Sequence, residues 1–214
     1  MNRVLIFTGG QLGAWALAHL HPDDFLIGAD RGGAYLAEHG IRMHVALGDF
    51  DSVSPTQLDA IKAACDRFEA SDPVMKDYSD TELAFQEALL LKPAEIVLLG
   101  ALGTRFDHSL ANVHLLLTAL RSGVRCRLID EHNEIMLTDS SLTVTNGDNR
   151  YTYVSLLPLS EEVTGVTLEG FLYPLNDATL RIGQSLAVSN RLAESRGFIH
   201  IRSGLLLVIQ SKDK

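Results

Sequence analysis

An α/β domain built on a parallel sheet, followed by a small antiparallel β-sandwich, is the fold that the sequence predicts, divided as residues 1–142 and 143–214. Two patterns carry this expectation. Through the first 140 or so residues, short β-rich runs alternate with helical stretches, as in a parallel sheet covered on both faces by helices. From about Thr143 the chain continues as short alternating segments with no strong helical stripe, which suits antiparallel strands.

Val4-Leu5-Ile6-Phe7, Phe25-Leu26-Ile27, His44-Val45-Ala46-Leu47, Glu95-Ile96-Val97-Leu98-Leu99 and Arg125-Cys126-Arg127-Leu128-Ile129 are the strand candidates of the first part. Helix starts are legible between them. Ser54 before Pro55, with Gln57 three residues on, and Ser79 with Glu82 both have capping-box spacing. Asp107 is a candidate cap for a helix through Leu110, Val113, Leu116 and Leu117, and Trp15 falls in a further N-terminal helix as a core residue. In the second part Asn146-Gly147-Asp148-Asn149 marks a tight turn. Strands are expected at Tyr151–Ser155, Gly165–Leu168, Ser185–Val188, Gly197–Ile201 and Leu205–Ile209.

Composition narrows the function. A formal charge of -9 argues against broad binding to nucleic acid or an anionic membrane, either of which needs a basic face. An anionic substrate must then be met locally, by a divalent cation and a few placed Lys or Arg side chains. Cys65 and Cys126 form no CxxC pair or Cys/His cluster and read as small buried hydrophobes in a reducing compartment. Thr8-Gly9-Gly10-Gln11 interrupts the first apolar run too early for a signal peptide, and no run approaches the roughly 20 residues that cross a bilayer. A cytoplasmic protein is the expectation.

Acidic clusters then fall within about sixty residues, each where a strand-like run gives way to a turn or helix: Gly48-Asp49-Phe50-Asp51-Ser52, Lys76-Asp77-Tyr78-Ser79-Asp80 and Arg105-Phe106-Asp107-His108. In α/β proteins ligands collect at the carboxyl ends of parallel strands, so carboxylates repeated at that level can converge on one site. Asp49 and Asp51, two apart in an extended chain, would face one ligand, and a cation such as Mg²⁺ would reverse their repulsion. Turn formation is the alternative reading for this pair, and capping or a solvated surface the alternative for Asp77. Ser79 is the better cap on spacing, which leaves Asp80 for other work, while Lys76 beside two acids can neutralise a phosphate oxygen. Gly100 to Asn112 supplies the complement: glycines for close approach of backbone, Arg105 for phosphate, and a helix start at which Asn112 shares a face with His108.

Taken in order, Gly-Asp-Phe-Asp-Ser, Lys-Asp-x-Ser-Asp-x-x-x-Ala and Gly-x-x-Gly-x-Arg-x-Asp-His-x-x-x-Asn resemble the motifs of the thiamine pyrophosphokinase family. The resemblance covers nearly the whole chain, because that family joins a Rossmann-like α/β catalytic domain to a smaller β-domain with a Ser-Asn pair, here Ser189-Asn190. It implies transfer of the pyrophosphoryl group of ATP to the hydroxyl of thiamine, giving thiamine diphosphate and AMP with Mg²⁺. Carried over by position, Asp49, Asp51, Asp77 and Asp80 are metal-associated. Arg105, Asp107 and Asn112 match the family's nucleotide-binding motif, with Lys76 and His108 beside them as further nucleotide-binding candidates, and a carboxylate near the alcohol, Asp51 or Asp80, is expected to act in catalysis as its proton acceptor. The resemblance further implies a homodimer, with Ser189 and Asn190 near thiamine where one subunit's catalytic domain meets the other's β-domain. A pyrophosphokinase for another hydroxymethyl heterocycle, such as a pterin, and a non-catalytic Mg-ATP sensor remain as alternatives.

Overall fold

The computed structural model describes residues 2–71, 78–145 and 150–213, so Lys76, Asp77 and the expected turn at Asn146–Asn149 lie outside the described residues. The chain divides into two compact units, Met1–Glu131 and His132–Lys214.

The first unit runs β1 (Arg3–Phe7), α1 (Ala14–Leu17), β2 (Phe25–Ala29), α2 (Arg31–Glu38), β3 (Met43–Gly48), α3 (Pro55–Ala64), β4 (Cys65–Ala70), α4 (Asp80–Leu90), β5 (Glu95–Leu99), α5 (Phe106–Arg121) and β6 (Arg125–Ile129). Its strands are parallel in the order β4-β3-β2-β1-β5-β6. The near-continuous apolar runs of β1 and β5 follow from burial on both faces. Leu5, Phe7, Val97 and Leu99 pack in one cluster with Ala34, Leu36 and Ile61 of α2 and α3, and the alternate residues Val4, Ile6, Ile96 and Leu98 are equally buried. The five expected parallel strands are all present, as are the helix starts at Ser54 and Ser79. Ser54 and Gln57 form a reciprocal capping box, and the Ser79 hydroxyl accepts from the Glu82 amide at 3.2 Å.

Strand order matters for function because the chain fills one side of β1 first, through β2, β3 and β4, and then the other, through β5 and β6. The carboxyl ends of β1 and β5 therefore lie at the point where winding reverses, where α/β sheets open a ligand crevice. Two loops interlock there. Thr8 donates from its amide and its hydroxyl to the Leu99 carbonyl, and a Cβ on Gly10 would lie 2.0 Å from the Gly100 carbonyl oxygen. Helix α2 presses on the same strand end, since a Cβ on Gly32 would sit 1.9 Å from the Phe7 carbonyl oxygen.

The second unit comprises β7 (Asn133–Thr138), β8 (Leu142–Thr145), β9 (Tyr153–Pro158), β10 (Glu162–Glu169), β11 (Ala178–Arg181), β12 (Arg196–His200) and β13 (Leu206–Ser211). All pairings are antiparallel, in the orders β7-β13-β9 and β11-β10-β12-β8. Val154, Leu156, Leu206 and Val208 of the first set share one core with Val144, Val163, Leu168, Leu180 and Ile199 of the second, which makes the unit a sandwich.

Several local expectations are corrected. Ser185–Val188 is turn and bend rather than strand, because only Ala187 is buried while Leu186 and Val188 are exposed. β4, with the sequence Cys-Asp-Arg-Phe-Glu-Ala, has the charged surface of an edge strand and follows α3 without a turn signal. Asp107 is not the cap of α5: that position is Arg105, and Asp107 lies in the first turn. Trp15 sits on a helix of one turn and is partly buried, packed against the core cluster of the first unit as expected. Among the described residues, no helix is long and apolar enough to cross a membrane.

Candidate active site at the carboxyl ends of the parallel strands

β3 ends at Gly48, and the next three residues build the acidic part of the site. Phe50 has a left-handed backbone, φ 55°, although its ring is buried and stacked on Phe68 of β4 with centroids 4.8 Å apart. Asp49 and Asp51 thus flank a turn past the strand end rather than alternating along a strand, and the Asp51 amide donates to Asp49 Oδ1 at 3.1 Å. The turn directs both carboxylates toward Asp30, at the end of β2. One oxygen from each of Asp30, Asp49 and Asp51 lies within 4.8 Å of the others.

Asp30 is a site residue that the sequence motifs do not include. Its backbone is strained, φ 48° and ψ -118°, a conformation that costs on the order of 1–3 kcal/mol and persists where the surroundings over-determine it. Gly48 makes room for it: φ there is 139°, and a Cβ would lie 3.2 Å from the Asp30 amide nitrogen. Ser52 donates to Asp30 Oδ2 at 2.6 Å, while Oδ1 is buried and accepts no hydrogen bond among the described residues. The available sequence signal was its place, an acid immediately after a strand at the level where the other acids sit.

Carboxylates at this spacing repel by about 1 kcal/mol per pair in water and about 4 kcal/mol at the effective dielectric of a protein surface. A hard divalent cation turns that penalty into attraction, and all three groups offer the oxygen ligands such ions take. The buried, unshared oxygen of Asp30 fits the same chemistry.

Beside the acids lies a cavity of about 420 Å³ at the reversal point of the sheet. Asp30 and Arg31 border it from the end of β2, Thr8, Gly9 and Gly10 from β1, Asp80 from the start of α4, and Gly100, Gly103, Arg105, His108 and Asn112 from the β5–α5 connection. Asp80, Arg105, His108 and Asn112 are thereby brought together, and Asp49 and Asp51 join them through Asp30. Asp107 does not border the cavity. It is exposed and binds the Arg105 guanidinium at 2.5 Å, and that hydrogen bond holds its carboxyl below the usual range and raises Arg105. Asn112 is buried and donates from Nδ2 to the Ala101 carbonyl at 2.7 Å, which fixes the loop after β5. Ser109, outside the expected set, ties the same loop by accepting from the Gly103 amide at 3.0 Å.

In the second unit, Ser189 is exposed with φ 59°, and its amide donates to Ser155 Oγ at 2.9 Å. Asn190 is 3% exposed. Its Oδ1 accepts from the amides of Tyr173 and Arg191, and its Nδ2 donates to the Tyr173 carbonyl, while its backbone bridges to Val154 of β9.

Sequence models of two domains match this chain: "Thiamin pyrophosphokinase, catalytic domain" over residues 18–128 and "Thiamin pyrophosphokinase, vitamin B1 binding domain" over residues 140–206. The chain belongs to the thiamine pyrophosphokinase family. Thiamine pyrophosphokinase of Bacillus subtilis is 35% identical over 187 residues, 87% of each chain, and a crystal structure of thiamine pyrophosphokinase from that organism covers 100% of both chains at 33% identity with a TM-score of 0.91. Thiamin pyrophosphokinase 1 of Caenorhabditis elegans is 27% identical over 78% of this chain and 70% of its own. Family membership agrees with the motif resemblance and with the α/β-plus-β fold class, and it makes this chain an ATP-dependent pyrophosphokinase. Neither a pterin acceptor nor a non-catalytic sensor is favoured.

If Phe50 holds the acidic turn, Phe50→Ala should lower unfolding free energy by about 3 kcal/mol. It should also weaken binding of Mn²⁺ at least tenfold in the folded variant. Urea unfolding and a metal titration read the two effects separately, and unchanged Mn²⁺ affinity in folded Phe50→Ala would contradict the role given to the turn.

Proposed function

We propose that this protein transfers the pyrophosphoryl group of ATP to the hydroxyl of thiamine, giving thiamine diphosphate and AMP, with Mg²⁺ as the metal. The convergence of Asp30, Asp49 and Asp51 beside the cavity at the sheet's reversal point carries the reading. Asp49, Asp51, Asp77 and Asp80, with Asp30, hold the metal in this reading, and Lys76, Arg105, Asp107, His108 and Asn112 serve the nucleotide. Mg²⁺ bound there would neutralise oxygens of the transferred group.

The reaction requires one bond to form and one to break. The thiamine hydroxyl oxygen attacks the β-phosphorus, the bond from that phosphorus to the oxygen bridging the α-phosphorus breaks, and its electron pair leaves with AMP. The hydroxyl proton passes to a carboxylate, Asp51 or Asp80. Little covalent work falls to the protein, so its task is alignment and charge compensation. The loop fixed by Asn112 and Ser109 sets Arg105 at the cavity edge. The interlocked glycines let backbone approach an anion closely.

Catalysis and nucleotide binding belong to residues 1–142 in this proposal, and thiamine binding and dimerisation to residues 143–214. Ser189 and Asn190 of the partner subunit would border thiamine in a homodimer. The bonds made by Asn190 support a supporting role, in which its amide shapes the loop that presents Ser189 and Tyr173. A cytoplasmic location accords with the reduced cysteines and with a substrate pair of soluble metabolites.

Incubation with Mg-ATP, with and without thiamine, followed by chromatography with mass detection, tests the reaction. AMP and thiamine diphosphate should appear together and only with thiamine; ADP with thiamine monophosphate would mean single-phosphoryl transfer and refute the proposal. Asp51→Asn should lower kcat at least 100-fold with a smaller change in KM, because a contact that strengthens as charge develops stabilises the transition state selectively. Steady-state kinetics with near-normal kcat in that variant would remove Asp51 from the chemistry.

A further inference from the structure

Arg31 follows Asp30 at the end of β2 and opens α2, yet none of the acidic or glycine motifs includes it. It is exposed, and it borders the cavity of about 420 Å³ together with two neighbouring concavities of about 240 and 570 Å³. Gly10 borders the same three, so Arg31 and the turn after β1 form the rim at which they meet. Gly9 lies against this rim, where a Cβ would meet Arg31 Cβ and Asp30 Oδ2 at an ordinary contact distance of 3.7 Å.

Charge decides what Arg31 is for. Arg105, on the opposite wall, already binds the Asp107 carboxylate through two hydrogen bonds. Arg31 makes no ion pair or side-chain hydrogen bond among the described residues, although Asp30 and Asp80 border the same cavity. An uncommitted guanidinium beside an acidic cluster is placed to take an anion that the metal alone does not neutralise, and its planar fork matches phosphate oxygens two at a time. Exposure keeps the desolvation penalty of the free side chain small.

We propose that Arg31 is a substrate-binding residue that grips the polyphosphate of the donor from the β2–α2 wall, facing Arg105 across the cleft. The inference rests on the donor reading given above and adds a residue to it. Arg31 thus supplies positive charge next to the site where the carboxylates concentrate negative charge, and it spans the passage from the main cavity to its neighbours.

Calorimetric titration of the whole chain with Mg-ATP and with magnesium tripolyphosphate tests this, comparing wild type, Arg31→Gln and Arg31→Lys, alongside thermal unfolding of each unliganded protein. Arg31→Gln should bind both ligands at least tenfold more weakly, Arg31→Lys should recover part of the loss, and the unliganded midpoints should coincide. Tripolyphosphate binding by Arg31→Gln as tight as that of wild type would overturn the inference while leaving the donor reading intact. Failure of wild type to bind either ligand would overturn the donor reading itself, and this inference with it.

Discussion

The burial of Phe50 against Phe68 is the interaction on which the site depends. A non-glycine residue in a left-handed conformation costs roughly 1–2 kcal/mol, whereas burying a phenylalanine side chain contributes roughly 1.5–3 kcal/mol. An offset-stacked aromatic pair adds about 0.5–1.5 kcal/mol. The balance favours the turn, so a hydrophobic contact with no part in chemistry holds two carboxylates in an arrangement that their own repulsion opposes. Asp30 completes the set under similar constraint, with a strained backbone that Gly48 accommodates and a carboxylate that Ser52 orients. Strain and like charge concentrate at one spot, and a packed core on either side of the strand ends sustains both.

Topology then gives this spot a neighbouring cavity. Because winding reverses between β1 and β5, a crevice opens at their carboxyl ends, and glycines of the two loops that follow them let backbone pack closely on backbone along it. In a protein with a net charge of -9, an anionic ligand at this cavity would have to be compensated locally. Carboxylates placed to hold a cation sit at one end, Arg31 and Arg105 border the cavity from different strand ends, and the general field of the surface matters little at the distances over which salt screens it.

Much of this was legible in the sequence, for reasons tied to particular residues. The β1 and β5 runs announce strands because both faces are buried, and Ser54 and Ser79 announce helices because free backbone amides need acceptors. The ordered motifs were legible as a family signature, and of their described residues Asp80, Arg105, His108 and Asn112 border one cavity, while Asp49 and Asp51 join it through Asp30. Asp30 was missed because a lone acid after a strand has no spacing partner in sequence, and its neighbours in space lie some twenty residues away. Edge strand β4 was hidden by its charges, and Ser185–Val188 looked like a strand although its apolar side chains point largely to solvent. The amides of Asn112 and Asn190 could be read as ligand contacts from sequence, but their internal hydrogen bonds are tertiary facts that no spacing reveals.

Asp30, Asp49 and Asp51 are proposed to form one metal centre held by the turn at Phe50. An anomalous difference map from crystals equilibrated with Mn²⁺ tests it most directly. A peak is expected within bonding distance of carboxylate oxygens from all three residues. A peak elsewhere in the cleft, or one held without Asp30, would contradict it.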